Sequence, residues 1–256
     1  MNSKYIAWLK KDKRSSLREL KKDILRLEKG EPLAYVIGWV DFLGVKIDLS
    51  YKPLIPRPET EYWTEEAIRE IRDWKPEKEN SNIESPIPNI RHPRVLDVFS
   101  GSGCIGIAVL KHAPNAKVWF ADKDPACLRQ IRKNLKLNRI PARRYEIKHS
   151  NILQNVRMSF DYVLANPPYI PSGRKLPASV SKFEAGTALF GGKDGLRFIR
   201  AFARELPRVL APGGRAWMEF DSGERREVEK IFRKFPVREF HRDQFGRIRY
   251  ATLGML

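Results

Sequence analysis

The sequence predicts an α/β fold whose mainly parallel sheet is covered by helices on both faces. From residue 94 to the C-terminus, short apolar strands alternate with helix-like segments, a pattern typical of parallel sheets. The last two apolar segments are close enough in the chain to form an antiparallel hairpin at the edge of that sheet. With 256 residues, 42% of them hydrophobic, the chain can bury a full core.

Residues 1–30 are expected to form a reduced or truncated N-terminal helical segment. Leucine and isoleucine recur there at three- and four-residue spacing, which predicts an amphipathic helix over 15–29. The first twenty residues are also basic, contain three serines and have few acids, a composition loosely similar to a mitochondrial presequence. We favour the helix.

Residues 31–60 are expected to link this segment to the main domain. The stretch 35–50 reads as a β-hairpin, and Thr60 is expected to be the N-cap of the helix that follows three prolines. The main domain should occupy 61–256. Within it, 75–93 contains four prolines and few apolar residues, which predicts a surface insertion.

The main domain is expected to consist of alternating elements. The predicted strands are 94–99, 117–122, 144–150, 160–166, 214–220, 237–241 and 247–254. The predicted helices are 104–113, 124–138, 194–210 and 223–235.

Composition narrows the classes of partner and site. The chain has 49 Lys and Arg against 31 Asp and Glu, a net charge of +18. This charge favours an acidic or nucleic-acid-rich partner, or a compartment that favours basic proteins, unless it only aids solubility. No apolar run reaches the roughly 20 residues that span a bilayer, so no membrane partner is expected. The two cysteines and four histidines lack the spacing of metal ligands or of a disulfide scaffold, so no metal is expected.

A glycine loop follows the first predicted strand of the main domain. Gly101, Gly103 and Gly106 have the spacing G-x-G-x-x-G, and Asp122 ends the next strand, where a carboxylate can hold the hydroxyls of a ribose. A dinucleotide and an adenosyl cofactor both satisfy this pattern. Asp97 precedes the glycines, where its charge would repel a pyrophosphate and suit a cationic amino group, unless it only caps the loop. We therefore expect S-adenosylmethionine.

A second motif ends the strand 160–166. In "VLANPPYIPSG", Asn166 supplies an amide, while Pro167 and Pro168 hold a stiff extended segment whose carbonyls can accept hydrogen bonds. Tyr169 adds a flat face that packs either on a bound group or only on the wall. Such a pocket would accept hydrogen bonds from a planar NH2 group.

Five segments together resemble the N5-glutamine methyltransferases of peptide chain release factors, a bacterial and mitochondrial family. They are "IPRPETE", "LDVFSGSG", "ADKDP", "NPPYIPS" and "GGKDGL", and the resemblance extends from Glu31 to the C-terminus. "NPPY" is shared with enzymes that methylate amino groups of DNA and RNA, whereas "PRPETE" is more particular to the glutamine-methylating branch. The resemblance implies a class I S-adenosylmethionine-dependent (Rossmann-like) fold with a seven-stranded sheet.

The resemblance also implies substrates and residue roles. S-adenosylmethionine would be the methyl donor, S-adenosylhomocysteine the product, and the glutamine of a Gly-Gly-Gln motif the acceptor. The implied cofactor-binding residues are Asp97, Phe99, Ser100, Gly101, Ser102, Gly103, Asp122, Lys123, Asn151, Ile152 and Asn166. The implied catalytic residues are Asn166, Pro167, Pro168 and Tyr169, and these four with Glu184, Gly191 and Gly192 form the implied substrate side. The glycines among them could instead simply form turns.

The chain departs from the family pattern at three places. Asn151 stands where relatives usually carry an aspartate for the adenine amino group, although an amide oxygen can still accept that bond. The family's C-terminal "E-I-G-x-x-Q" appears as "EFDSGE", with Asp221 and Glu224 replacing glycine and glutamine, and we assign these two no role. Relatives also carry a larger helical N-terminal domain that helps to hold the release factor.

The expected function is methyl transfer to a release-factor glutamine. We expect the protein to be a monomer. Its expected location is the mitochondrial matrix, or the cytoplasm if the protein is bacterial, and transient contact with the ribosome or RNA is compatible with its charge. An amino methyltransferase acting on adenine or cytosine of RNA or DNA would explain the charge and "NPPY" but not "PRPETE". A non-catalytic RNA-binding module would not need the glycines, Asp122 and Asn166.

Overall fold

The computed structural model describes residues 17–75 and 92–255. Residues 1–16 of the presequence-like stretch and most of the predicted insertion 75–93 therefore lie outside the described residues. In the part that is described, no helix is both long enough and apolar enough to cross a bilayer.

The N-terminal region consists of two helices and a two-stranded antiparallel hairpin. These are α1 (Leu17–Glu28), α2 (Leu33–Ile37), β1 (Trp39–Phe42) and β2 (Val45–Asp48). The predicted amphipathic helix is confirmed over its described residues. The predicted hairpin over 35–50 was too long, because residues 35–37 are helical. Gly38 ends α2 with φ 93°, and its N–H donates to the Ala34 carbonyl at 2.8 Å.

The helix α3 (Pro58–Arg72) begins before the predicted cap. Arg57 occupies the N-cap position, and Pro58 is in the first turn, where its missing N–H costs no hydrogen bond. The prediction that Thr60 is the N-cap was wrong. Thr60 lies inside the helix and is buried, and its hydroxyl is used in tertiary contacts.

The seven-stranded sheet confirms the predicted fold class. Its strands are β3 (Arg94–Val98), β4 (Lys117–Asp122), β5 (Tyr145–His149), β6 (Phe160–Ala165), β7 (Leu210–Glu219), β8 (Val237–Arg242) and β9 (Ile248–Gly254). The strand order is β5-β4-β3-β6-β7-β9-β8. The first five strands in that order run parallel, and β9 is antiparallel to both of its neighbours.

Helices cover both faces of the sheet. They are α4 (Cys104–His112), α5 (Pro125–Leu137), the short α6 (Ala178–Ser181) and α7 (Gly186–Leu189), then α8 (Arg197–Glu205) and α9 (Arg225–Ile231). The predicted helix over 194–210 was too long, because a 3-10 turn follows α8 and β7 begins at Leu210. The predicted helix over 223–235 is likewise shorter in the structure. Adjacent residues of β3 enter different cores, Val95 with α3 to α5 and Leu96 with α8 and α9.

Side-chain amides of α5 attach the N-terminal hairpin to the domain. Asn134 accepts from the Asp48 backbone N–H at 2.8 Å, and Gln130 accepts from that of Tyr51 at 2.9 Å. These bonds fix the chain just after β2. Strand β3 is the third of the seven strands. The chain runs outward from it to β4 and β5 and then returns to β6, on the other side of β3. Such a switch point opens a crevice at the carboxyl ends of the strands.

Candidate active site

A cavity of about 310 Å³ lies at the carboxyl ends of the central strands. This volume is in the range of ligand pockets. Of the predicted site residues, the following line it: Phe99, Gly101, Asp122, Lys123, Asn151, Ile152, Asn166, Pro168 and Glu184. Residues 51–54, 183–185, 187 and 188 form a further part of the wall. Within the described part of the chain, the other predicted site residues do not line the cavity: Asp97, Ser100, Ser102, Gly103, Pro167, Tyr169, Gly191 and Gly192.

The glycine loop shapes the cavity from beneath. Phe99, Gly101 and Gly103 have φ of 59°, 55° and 79°, so the chain turns sharply after β3. The Ser100 hydroxyl donates to the Asp97 carbonyl at 2.7 Å, and its oxygen accepts from the Ala121 N–H at 3.0 Å. Ser100 therefore ties the loop to β4, which explains its burial.

Ser102 and Gly103 support the start of α4. Ser102 is buried, and its carbonyl accepts from Asn134 Nδ2 at 2.9 Å. Gly103 is the N-cap of α4, and a Cβ there would lie 3.1 Å from Ile131 Cγ1. Both residues hold the loop in place from behind the cavity.

Asp122 faces the cavity with both carboxylate oxygens engaged. Oδ2 accepts from the Gly101 N–H at 2.9 Å, and Oδ1 accepts from the Asp124 N–H at 2.8 Å. Burial raises the pKa of Asp122 above its usual value, against these two bonds. Because each carboxylate oxygen can accept more than one hydrogen bond, Asp122 can also accept from ligand hydroxyls.

Asp97 lies under the glycine loop and is fully buried. Its Oδ2 accepts from the Gly106 N–H at 3.0 Å, so it does brace the loop and helix. Its Oδ1 has no hydrogen-bond partner among residues 17–75 and 92–255, and burial raises the pKa of Asp97 to about 8. A buried acceptor without a partner suits a cofactor that brings a cationic group.

Aromatic and cationic side chains border the far end of the cavity. Asn151 and Ile152 follow β5 and line it beside Lys123. The Lys123 ammonium lies 4.9 Å from the centroid of the Phe198 ring, and Phe198 meets Phe99 edge to face at 6.0 Å between centroids. The sequence motifs missed Phe198, because it lies on α8, far along the chain from them.

Asn166 follows β6 and is held by α3. Its Nδ2 donates to Thr60 Oγ1 at 3.0 Å, which leaves Oδ1 for a ligand. Pro168 lines the cavity beside it. The Tyr169 hydroxyl turns into the protein and donates to Glu219 Oε1 at 2.8 Å, and burial raises its pKa well above the usual value. The geometry of Tyr169 in this structure is that of wall packing.

Glu219, at the end of β7, is a buried carboxylate surrounded by donors. Its Oε2 accepts from Thr60 Oγ1 at 2.7 Å and from Trp63 Nε1 at 2.8 Å, in addition to the Tyr169 bond at Oε1. Burial raises the pKa of Glu219. The sequence motifs assigned no role to Glu219, Thr60 or Trp63. One signal was available, because Glu219 stands in the apolar stretch "AWMEF" and acids are seldom buried without a partner.

Glu184 joins the two segments that close the cavity. Its side chain is 1% exposed, its Oε1 pairs with Arg57 Nη2 at 2.6 Å, and its Oε2 accepts from the Ile55 N–H at 3.3 Å. Gly191 and Gly192 pack behind the proline segment. A Cβ at Gly191 would lie 2.6 Å from the Pro168 carbonyl oxygen, and Gly192 has φ 92°. Gly192 begins a turn in which its carbonyl accepts from the Gly195 N–H at 3.2 Å.

Curated relatives of this chain carry the name of the family that the five sequence segments resemble. The chain is 31% identical over 217 residues to the release factor glutamine methyltransferase of Flavobacterium psychrophilum, covering 83% of this chain and 70% of that relative. It is 31% identical over 242 residues to the protein of that name from Bacteroides thetaiotaomicron, covering 92% and 80%. The chain belongs to the release factor glutamine methyltransferase family.

Two further comparisons agree with a methyltransferase fold. The methyltransferase small domain model matches residues 83–188. The crystal structure of a methyltransferase from Pyrococcus furiosus has a TM-score of 0.59 and 16% identity, and the match covers 92% of this chain and 99% of that one. At that identity the likeness shows the fold alone, a methyltransferase fold.

This member of the release factor glutamine methyltransferase family has two acids near the end of β7. Asp221 accepts from the Gly223 N–H at 2.9 Å and pairs with Arg174. Both Glu224 oxygens are buried without a hydrogen-bond partner among the described residues, and burial raises the pKa of Glu224 to about 7. A Cβ on Gly195 would lie 2.8 Å from Glu224 Oε1, so this acid packs against the turn behind the proline segment.

Proposed function

We propose that this protein transfers a methyl group from S-adenosylmethionine to the side-chain amide nitrogen of the glutamine in a release factor's Gly-Gly-Gln motif. The observation that carries the proposal is the geometry of Asn166. Its NH2 group is committed to Thr60, so its Oδ1 is the free acceptor, and it shares a cavity with Asp122. The name of the bacterial relatives, release factor glutamine methyltransferase, supports the same substrate.

The cavity residues suit an adenosyl cofactor with a cationic amino-acid end. Asp122 would accept from the ribose hydroxyls, Asn151 would accept from the adenine amino group, and Phe99 would pack beside the glycine loop. The Asp97 carboxylate beneath that loop would pair with the ammonium group. When bound, S-adenosylmethionine supplies an electrophilic methyl group.

Calorimetry tests this cofactor assignment. Asp122→Ala removes an acceptor and should weaken S-adenosylmethionine binding by roughly 1.5–3 kcal/mol, the scale of a charged hydrogen bond. Asp122→Asn keeps one acceptor oxygen and should fall between. Binding of NAD in place of S-adenosylmethionine, or equal affinity of the wild type and the alanine variant, would contradict the assignment.

An amide nitrogen is a poor nucleophile because its lone pair is delocalised into the carbonyl. Asn166 Oδ1 and the Pro167 carbonyl would accept the two amide hydrogens and hold the nitrogen in the orientation for attack. As positive charge grows on that nitrogen, both hydrogen bonds strengthen, so they stabilise the transition state more than the bound substrate. Holding the amide in place supplies a further part of the acceleration. The chemistry requires no general base before transfer.

Labelled methyl transfer tests the proposal directly. The protein, labelled S-adenosylmethionine and a release factor are incubated, and mass spectrometry locates the label. We expect one methyl group on the Gly-Gly-Gln glutamine and no label on a release factor whose glutamine is replaced by alanine. Label on RNA or DNA with none on the release factor would contradict the proposal in favour of an amino methyltransferase of nucleic acids.

The compartment is part of the proposal. The relatives compared above are bacterial, which favours the cytoplasmic alternative over the mitochondrial matrix. Residues 1–16 of the stretch that resembles a presequence lie outside those that the structure describes. Fusing residues 1–30 to a fluorescent reporter decides between them, since import into mitochondria would support the matrix and diffuse fluorescence the cytoplasm.

A further inference from the structure

Thr60 connects two residues that come from the ends of different strands. Its Oγ1 donates to Glu219 Oε2 at 2.7 Å, and the same oxygen accepts from Asn166 Nδ2 at 3.0 Å. All three side chains reach this point from distant parts of the chain, since Thr60 is 106 residues from Asn166 and 159 from Glu219. The result is a short chain of hydrogen bonds that runs from β7 to the cavity.

The direction of this chain follows from the number of protons on each group. An ionised Glu219 can only accept, and its three neighbours Thr60, Trp63 and Tyr169 all donate to it. The single Thr60 proton is therefore committed to Glu219. Thr60 Oγ1 can then only accept, and the group that meets it from Asn166 must be the NH2 end of the amide.

The two orientations of an asparagine amide have nearly the same shape, so packing alone does not choose between them. If the amide were reversed, Asn166 Oδ1 would face a Thr60 oxygen without a proton to share. The NH2 group would then point at the substrate amide, whose hydrogens require an acceptor. The hydrogen-bond chain excludes this reversed arrangement.

We propose that Glu219, acting through Thr60, is a positioning residue that fixes the Asn166 amide with Oδ1 toward the substrate. Neither Glu219 nor Thr60 lines the cavity among the described residues, so both act on the reaction through Asn166. The kinetic consequence rests on the proposed function, whereas the orientation of the amide does not.

Matched variants of α3 separate positioning from packing. Thr60→Val keeps the shape of the side chain and removes the hydroxyl, while Thr60→Ser restores a hydroxyl. Thr64→Val is the control, because Thr64 is also fully buried on α3 but donates to the Thr60 carbonyl at 2.6 Å. If Thr60→Val does not fold, as judged by its thermal unfolding, Thr60→Ala takes its place.

We expect Thr60→Val to lower kcat for methyl transfer to the release factor by about 10- to 100-fold. This loss is smaller than the loss expected when the acceptor side chain of Asn166 itself is removed. The Kd for S-adenosylmethionine should change by no more than about twofold, since no cofactor contact is lost. Thr60→Ser should recover most of kcat, and Thr64→Val should stay within about threefold of the wild type. An equal loss of kcat in Thr60→Val and Thr64→Val would overturn the proposal.

A second measurement needs neither cofactor nor substrate. The Asn166 side-chain NH2 signal in nitrogen-15 NMR spectra is assigned by its loss in Asn166→Asp, and the exchange of its protons with water is measured. Exchange should be slow in the wild type and in Thr60→Ser, and at least about tenfold faster in Thr60→Val. Unchanged slow exchange in Thr60→Val would contradict the positioning role. The wild type could show the expected slow exchange and yet fail to methylate a release factor. That outcome would contradict the proposed function but not the positioning role.

Discussion

The carboxylates of Glu219, Asp122 and Asp97 lie at the candidate site, Asp122 half-buried and the other two buried, and the structure satisfies each to a different degree. Glu219 has three side-chain donors, Asp122 has two backbone N–H donors, and Asp97 has one. The free Oδ1 of Asp97 makes its charge costly, because burial without compensation disfavours the ionised form. Binding of a cationic ligand would remove that cost.

Asp97→Asn tests this account of the buried charge. The pKa of Asp97 is raised from 3.8 to about 8, so the folded state holds a proton that the unfolded state loses above about pH 4. This group therefore lowers stability progressively between about pH 4 and 8, by on the order of 5 kcal/mol at the upper end. Asparagine has no proton to lose and can still accept from the Gly106 N–H. We expect its unfolding temperature to exceed that of the wild type more at pH 8 than at pH 5.

Thermal unfolding of the two proteins without ligand measures the difference. An equal gain or loss at both pH values would show that Asp97 is not protonated in the folded protein. Calorimetry with S-adenosylmethionine then serves as the functional counterpart. Weaker binding by the more stable Asp97→Asn variant would agree with an ammonium partner.

Side chains near the motifs show how far a single sequence predicts this site. The family resemblance implied that Asp122 and Asn166 belong to one ligand site, and the carboxyl ends of parallel strands do meet at one edge of a sheet. Both do line the cavity. The bond from Asn166 to Thr60 and the donors around Glu219 could not be predicted, since they depend on how α3 packs across the ends of β6 and β7.

Among the elements, α4 and β4 must approach closely for the glycine loop to form. Gly106 lies in α4, where a Cβ would be 2.4 Å from Phe120 Cε1 and 2.9 Å from Val118 Cγ1. The motif glycine at this position therefore serves helix–sheet packing. By contrast, the expectation that Thr60 begins α3 failed because a hydroxyl that suits a cap also suits a buried carboxylate.

Gly106→Ala should destabilise the protein by about 1–3 kcal/mol, the usual cost of overpacking a well-filled core. Gly173→Ala is the control, since nothing lies within 4 Å of a Cβ there. Denaturant unfolding of both variants measures the change in the free energy of unfolding. Equal stability of Gly106→Ala and the wild type would mean that the helix and strand can separate without cost.

For the whole molecule, alternation of strands and helices was enough to predict the sheet and its antiparallel edge. The N-terminal hairpin was located but misjudged at residues 35–37, because a short apolar run fits a strand and a helical turn equally well. Its attachment through amides of α5 joins residues about 80 to 90 positions apart, and no local pattern reports such a contact. The net charge of +18 belongs to the molecule as a whole and predicts how it meets a partner.

Ionic strength should change the rate of encounter more than the choice of residue. We expect association with the release factor to slow as salt rises from low to physiological concentration, because screening weakens long-range attraction. The methylated position should stay the same. Stopped-flow association and mass spectrometry across a salt series measure the two quantities. A rate independent of salt would contradict the role given to the charge, and a steep slope with RNA together with methyl transfer to RNA would favour the nucleic-acid alternative.

The central claim is that Asn166 Oδ1 holds the substrate amide. Single-turnover methyl transfer to a folded release factor, compared for the wild type, Asn166→Asp and Asn166→Ala, tests it most directly. We expect Asn166→Ala to be slower by roughly 10²–10³, the cost of deleting one preorganised polar group, with nearly unchanged affinity for S-adenosylmethionine. Asn166→Asp keeps an acceptor but loses the donor that meets Thr60, so its rate should lie between the other two. A rate for Asn166→Ala close to that of the wild type would show that Asn166 does not hold the substrate.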